Sequence, residues 1–371
     1  MRHCAEPGVL PGPDRAAHSR RNGRRPRDRS QSVTKPRVHI SVTRVGALVA
    51  AALALAVVTL MSLRIGSFSV STADAVNAVF DYSPESYEET VVRSLRIPRT
   101  IIGIGVGAAL GVAGAAMQAV TRNPLAAPSI LGVNSGAAFG VVTAVFFADF
   151  THPFQFIWFA FAGGLAASLA VYAISSAGQG GVSPVKLVLA GVVVSAVLGS
   201  WLTALLLLDQ QTLDIVRFWL AGSLAGRDIN VFLSVLPFLI VGAACMVTLG
   251  NQLNVLSLGE DTARSLGMRT NSMRALVILL VVVLAASSVA VAGPIAFVGL
   301  AVPHMVRAVS GPDYRWVLAF SLCIGPVLLL GADISGRVVI RPSEVQVGII
   351  TALVGAPFLI FLARQRRIAD L

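Results

Sequence analysis

Charge is what this chain has least of. Only 13% of its 371 residues are Asp, Glu, Lys or Arg, and 55% are hydrophobic, giving a mean hydropathy of +0.78. A soluble domain carries roughly 25% charged residues, so there is too little polar surface here for a water-soluble globule, and lipid must be the solvent over most of the chain. Lysine is scarcer still, since Lys186 is the only one after Lys35. The three cysteines (Cys4, Cys245 and Cys323) stand far apart with no CxxC pair, which argues against a disulfide framework and a thiolate metal site. No GxxxxGK[ST], HExxH or GxSxG occurs. The chain therefore binds no ATP through a P-loop, and no catalytic residue, metal ligand or bound cofactor is assigned to it. Acids are nearly absent inside the apolar runs; Asp149, Asp209 and Asp333 stand at run ends. An ion-coupled secondary carrier, the alternative from another class, would keep ionisable groups near the bilayer midplane. If the chain does work across the membrane, its energy has to come from elsewhere.

The charge that exists is unevenly placed. Residues 1–44 hold eleven Lys or Arg against three acids, a surplus of eight out of a net +11. Their Pro, Gly, Arg and Ser content reads as a disordered basic cytoplasmic tail that touches anionic lipid. A nucleic-acid-binding arm and a misassigned start are the other readings of that composition. A secretory signal fits poorly, because the basic stretch is too long.

Residues 45–371 form one membrane domain. About 20 mostly apolar residues make a spanning helix, and ten candidate runs lie near 45–63, 98–118, 129–148, 154–175, 186–208, 229–249, 273–292, 295–309, 316–334 and 346–363. The eighth is short and punctuated by Pro303. Ten spans put both termini on one side, and the tail makes that side cytoplasmic. Eight arginines then fall outside, five of them just beyond helix ends: Arg93, Arg96, Arg99, Arg337 and Arg341. Positive charge on the outer face, against the usual rule, invites a functional explanation.

Four stretches carry the remaining signal. "LGEDTARSLGM" (258–268) lies in a cytoplasmic loop of about 250–272. Glu260 precedes Arg264 by four, the favourable order for a helical ion pair, Glu260 and Asp261 suit the first turn, and Gly267 is placed to end the helix. Leu258, Ala263 and Leu266 would share part of one face. The result is a short amphipathic helix, either an ordinary solvated loop helix or a knob for a partner's groove. Gly103, Gly107 and Gly111 repeat every four residues and predict close helix packing. Gly191, Ser195 and Gly199 put a small, partly polar stripe on the fifth run, which helix packing and a smooth pathway lining predict equally well. The loop before that run, "GQGGVSPVK" with Ser183 and Pro184, is flexible enough to act as a gate. His304, alone after Pro303, reads as a helix-end hydrogen bonder rather than a ligand, and Asp333 with Arg337 as a local ion pair.

These stretches resemble the FecCD family, permease subunits of ABC importers for iron–siderophores, haem and vitamin B12. The resemblance covers about 45–365. It rests on "RIPRTIIGIGVGAALGVAGAAMQAVTRNPLAAPSILGVNSGAAFG", "LNVLSLGEDTARSLGM", "GPIAFVGLAVPHMVR", "GADISGRVV" and "VGIITALVGAPFLIFL". It implies an all-α, ten-helix type II ABC importer permease, paired with a second permease subunit as a homodimer or heterodimer. Cytoplasmic ABC ATPase subunits would hold the ATP and Mg, and an extracytoplasmic substrate-binding protein would deliver the cargo. Residues Leu258–Gly267 match the family's coupling segment on the ATPase, and Arg96, Arg99 and Arg337 match positions that receive acidic residues of the binding protein. The fifth run resembles the path-lining helix, with the loop before it as inner gate, and "TLDIVRFWLAGS" the short outer helix after it. An iron–siderophore is the expected cargo, with haem and cobalamin as runners-up. The Arg-rich tail is not part of the family pattern.

Overall fold

The computed structural model describes residues 38–66, 70–177 and 183–369, and every regular element among them is helical. The chain opens with α1 (Val38–Arg64), α2 (Thr72–Phe80) and α3 (Tyr87–Val91), and a π-turn at Val92–Arg96 leads into α4 (Ile97–Thr121). A 3-10 turn at Pro128–Leu131 precedes α5 (Val133–Ala148), followed by α6 (Pro153–Ser176), α7 (Pro184–Leu208) and α8 (Gln210–Leu220). Then come α9 (Ile229–Thr248), α10 (Gly250–Ser257), α11 (Glu260–Ser265) and α12 (Thr270–Ala292). The last three are α13 (Val298–Ser310), α14 (Tyr314–Val339) and α15 (Val347–Ala369).

All ten expected runs are helices. Seven are long and apolar enough to cross a membrane, and the other three are the shorter apolar helices Val133–Ala148, Val298–Ser310 and the apolar part of α15, Val347–Ile360. Local chemistry sets many of their starts. Pro98, Pro153 and Pro184 occupy the first turns of α4, α6 and α7, where a missing N–H costs nothing. The side chains of Ser183, Asp209, Asp228 and Asp313 accept backbone N–H groups at the N-termini of α7, α8, α9 and α14.

Two boundaries differ from expectation. α1 begins at Val38, inside the stretch read as tail; the readings made for residues 1–37 lie outside the described residues. The eighth run, expected from 295, becomes helical only at Val298, and its 13 residues rise about 20 Å, short of a roughly 30 Å hydrocarbon core. The preceding residues 293–297 are non-helical, with Phe297 at φ 74°. Such backbone is tolerated at membrane depth only against protein. Here Gly293 lies against the Trp219 carbonyl, and Ser223 N–H donates to the Ala292 oxygen at 2.8 Å.

The core runs along α4 and α12, whose membrane segments are the most enclosed of the seven long ones. The glycine periodicity of α4 faces α14: a Cβ on Gly107 would sit 2.7 Å from the Pro326 backbone, and one on Gly325 only 2.1 Å from the Gly107 oxygen. The two backbones touch without side chains between them, which is how helices bind one another in lipid, where apolar burial gives no net gain. α14 also packs along α1 and α13, so it links one end of the bundle to the other.

Candidate coupling, docking and translocation elements

At one end of the bundle, α10 and α11 form a spur between α9 and α12. Gly259, at φ 113°, turns the chain from α10 into α11. Glu260 pairs with Arg264 at 2.6 Å, and its second oxygen lies 3.4 Å from Arg274 on α12. Met268 N–H donates to the Ala263 carbonyl at 3.0 Å and Gly267 N–H to that of Arg264 at 2.9 Å, with Gly267 at φ 81°. That pair of bonds is a Schellman end, so Gly267 stops the helix as expected.

One expectation is corrected. Leu258, Ala263 and Leu266 do not share a face: Ala263 is fully buried, whereas Leu258 and Leu266 are each 64% exposed. α11 has only six residues, so Leu258 and Leu266 lie on its flanking caps and the helical period does not carry through them. The exposed surface of the spur therefore includes Leu258, Asp261, Arg264 and Leu266.

Sequence reasoning missed what anchors the spur. Asn254 on α10 donates to the Asp313 carboxylate at 2.8 Å and accepts Tyr314 N–H at 2.8 Å, fixing the spur to the first turn of α14. The Arg315 guanidinium holds the Asp313 carboxyl down at about 2; burial opposes the shift and Asn254 adds to it. The N-cap at Asp313 was readable from "GPD" before an apolar run, but its partner lies 59 residues away. Nearby, Arg307 donates to the Gln118 side-chain oxygen, and Gln118 Nε2 to the Leu300 carbonyl at 3.2 Å, joining α13 to α4.

At the opposite end, Arg96, Arg99 and Arg337 do meet, but two of them are not offered to a partner. Arg337 is 1% exposed; it pairs with Asp333 and donates to the Ser62 carbonyl at 2.8 Å and the Ile65 carbonyl at 3.1 Å. Arg96 is 5% exposed and donates to the Leu63 and Arg64 carbonyls at 3.0 and 2.6 Å. The last carbonyls of a helix have no intrahelical partner, and these two guanidiniums cap the end of α1. The expectation that both face out is corrected on that ground. Arg99 grips Asp333 at 2.8 Å and Glu344 at 2.7 Å and keeps 12% of its side chain exposed. The local Asp333–Arg337 pair was legible as an i, i+4 spacing; Ser62 and Glu344 were not, being supplied by α1 and by the loop before α15. Three arginines and two acids lie together, and a pocket of about 230 Å³ opens onto them between Leu95, Gly226 and Glu344. In the loop that follows α8, burial lowers Arg227 to about 10, and Arg227 donates to the Ser223 carbonyl at 2.9 Å.

The small-residue stripe of α7 divides. Gly191 is a packing residue, because a Cβ there would lie 1.9 Å from the Ile130 carbonyl in the 3-10 turn. Ser195 is half-buried near Gly132, and Gly199 has nothing within 4 Å of a Cβ. Most of α7 is uncovered, including Val188, Leu189, Val192, Val193 and Val197. Ser183 accepts Lys186 N–H at 3.3 Å and Pro184 opens the helix; residues 178–182 of the expected gate lie outside the described residues. "TLDIVRFWLAGS" falls largely in α8 as expected, its Trp219 indole donating to the Ala290 carbonyl at 3.2 Å. His304 sits in the middle of α13, its ring 5.7 Å from that of Phe358, so it is not a helix-end residue.

A bundle of ten apolar helices with a built spur at one end and a charge network at the other defines a multi-span membrane permease. Residues 53–365 match the FecCD transport family, and the chain belongs to it. It is 44% identical over 328 residues to the ferric enterobactin transport system permease protein FepD of Escherichia coli, covering 88% of this chain and 97% of that one. It is 40% identical over 307 residues (83% and 91%) to the Fe(3+)-citrate import system permease protein YfmD of Bacillus subtilis. With the cobalamin import system permease protein BtuC of Halobacterium salinarum it shares 39% over 287 residues, 76% of each. Among solved structures, a metal-chelate type ABC transporter in an inward-facing conformation superposes with a TM-score of 0.75 at 29% identity, covering 86% of this chain and 99% of that one. The chain is thus an ABC importer permease, a transport subunit located in the membrane.

Proposed function

We propose that this permease translocates iron–siderophore complexes, driven by ATP hydrolysis on a separate cytoplasmic ATPase subunit. The observation that carries the ATPase contact is the spur: a capped, anchored helix presents two exposed leucines on a chain that has no nucleotide-binding motif of its own. Leu258, Gly259, Glu260, Asp261, Ala263, Arg264, Leu266 and Gly267 build that coupling element. The exposed leucines and Arg264 make the contact, and Ala263 and Glu260 fix its pose. A second permease subunit covers the open apolar face of α7, with Ser195 and Gly199 toward the path and Ser183 and Pro184 at its gate. An extracytoplasmic binding protein docks over the rim around Arg99 and Glu344, with Arg96 and Arg337 holding that rim in place. Both termini are cytoplasmic.

The iron–siderophore reading draws on the relatives named for ferric enterobactin and Fe(3+)-citrate. A cobalamin reading draws on the relative named for cobalamin import. Proteoliposomes holding the permease, its ATPase and its binding protein separate them. Radio-iron delivered as a ferric siderophore should accumulate with ATP and be displaced by excess unlabelled siderophore. Competition by cobalamin or haem alone would overturn the cargo assignment, and accumulation without the ATPase would overturn the energy source.

A further inference from the structure

Two of the outer arginines, Arg64 and Arg341, take no part in the charge network. Both are exposed, and neither side chain has a hydrogen-bond or ion-pair partner among the described residues. They line a cavity of about 890 Å³ between the end of α1 and α2. Val57, Leu60, Met61 and Arg64 stand at i, i+3, i+4 and i+7 on α1, and Thr72, Ala75, Val76 and Val79 repeat that spacing on α2, so each helix turns one stripe toward the cleft. The stripes do not close on each other. α2 is held by Ala78 and Ala75, which cluster with Val70 and Val92. Of the cleft's large apolar side chains, Val57, Leu60, Met61, Val76, Val79 and Phe80 stay open, from Met61 at 43% to Phe80 at 85% exposed. Two guanidiniums and no carboxylate line it.

We propose that this cleft is a binding site for an anionic phospholipid, with an acyl chain between the two stripes and the headgroup phosphate on Arg64 and Arg341. The volume falls in the range of ligand sites, roughly 300–1,000 Å³. Charge complementarity selects the occupant. A zwitterionic lipid offers one phosphate but brings a cation beside the two guanidiniums and leaves the site with excess positive charge, and a soluble protein partner leaves an apolar cleft on the lipid-facing side of α1. Arginine meets phosphate oxygens through paired N–H donors, and a basic site beside transmembrane helices is a headgroup site. The inference does not depend on the cargo or on the ATPase.

The test is lipid retention by the full-length permease, delipidated in mild detergent and titrated with phosphatidylglycerol or phosphatidylcholine, with bound lipids counted by native mass spectrometry. Phosphatidylglycerol should be retained over phosphatidylcholine by about fivefold per arginine. Arg64→Gln with Arg341→Gln should abolish that preference, whereas the paired lysine variant keeps it. Val76→Trp should fill the cleft and lower retention of both lipids. Equal retention of the two lipids by the wild type overturns the proposal, and so does an unchanged preference in the glutamine pair.

Discussion

Asp333→Asn removes one charge from the end of the bundle and strands Arg337, while Arg99 keeps Glu344. Asp333 is 1% exposed and accepts from both Arg99 and Arg337, themselves 12% and 2% exposed. Breaking a buried pair by deleting one partner costs about 3–5 kcal/mol, because a charge is left without compensation. At about 2–4 °C per kcal/mol for domains of 150–250 residues, the loss of melting temperature should be on the order of 10 °C. Glu344→Gln is the internal control. Glu344 is 27% exposed and holds only Arg99, which keeps Asp333, so about 1 kcal/mol or less is at stake. Thermal unfolding of the purified permease, followed by tryptophan fluorescence or aggregation onset, reads both variants. A network that clamps α1 to α14 and α4 predicts a large shift for Asp333→Asn and a small one for Glu344→Gln. Equal shifts, or an Asp333→Asn protein that melts within about 2 °C of wild type, the shift that about 1 kcal/mol or less would give, would refute the clamp and restore Arg337 as a residue available to a partner.

Gly191→Ala should sharply reduce folded yield, since the new methyl would lie 1.9 Å from the Ile130 carbonyl, whereas Gly199→Ala, with nothing within 4 Å, should express and fold as wild type; detergent size-exclusion profiles decide this. Asp313 gives a pH dependence. Its folded pKa is depressed to about 2, so its stabilising contribution is present above the ordinary carboxylate value of 3.8 and is lost as pH falls through the folded value. Melting temperature should accordingly drop more between pH 4 and pH 2 in wild type than in Asp313→Asn, and parallel curves would contradict it. Asn254→Leu should loosen the spur and lower ATPase association with little change in membrane insertion, measured by co-purification.

What the sequence made legible follows from how far apart the partners lie. The ten apolar runs emerged as helices because length and hydropathy are local properties, as are the Asp and Ser caps and the proline starts. The spur's internal chemistry, Glu260 to Arg264 and the stop at Gly267, was also local. Ala263 was misplaced because a helix of six residues cannot extend its period to Leu258 and Leu266. The late start of α13 was hidden because what lies against Gly293 and the end of α12 comes from α8 and the loop after it, at Trp219 and Ser223. Arg96 and Arg337 were singled out as misplaced charge, and the resemblance turned both outward; the end of α1, more than 30 residues from Arg96, turns them inward. Gly191 illustrates the same limit. A small residue every four positions fits both a path and a crossing, and only the Ile130 carbonyl distinguishes them.

The central claim is that energy enters through the exposed leucines of the spur. The direct measurement is ATP-driven siderophore uptake by proteoliposomes carrying Leu258→Asp with Leu266→Asp, alongside co-purification of the ATPase. Both side chains are 64% exposed, so folding and insertion should be unchanged. The account predicts that uptake falls to the level without ATP and that the ATPase no longer co-purifies. Normal uptake with the ATPase still bound would contradict it.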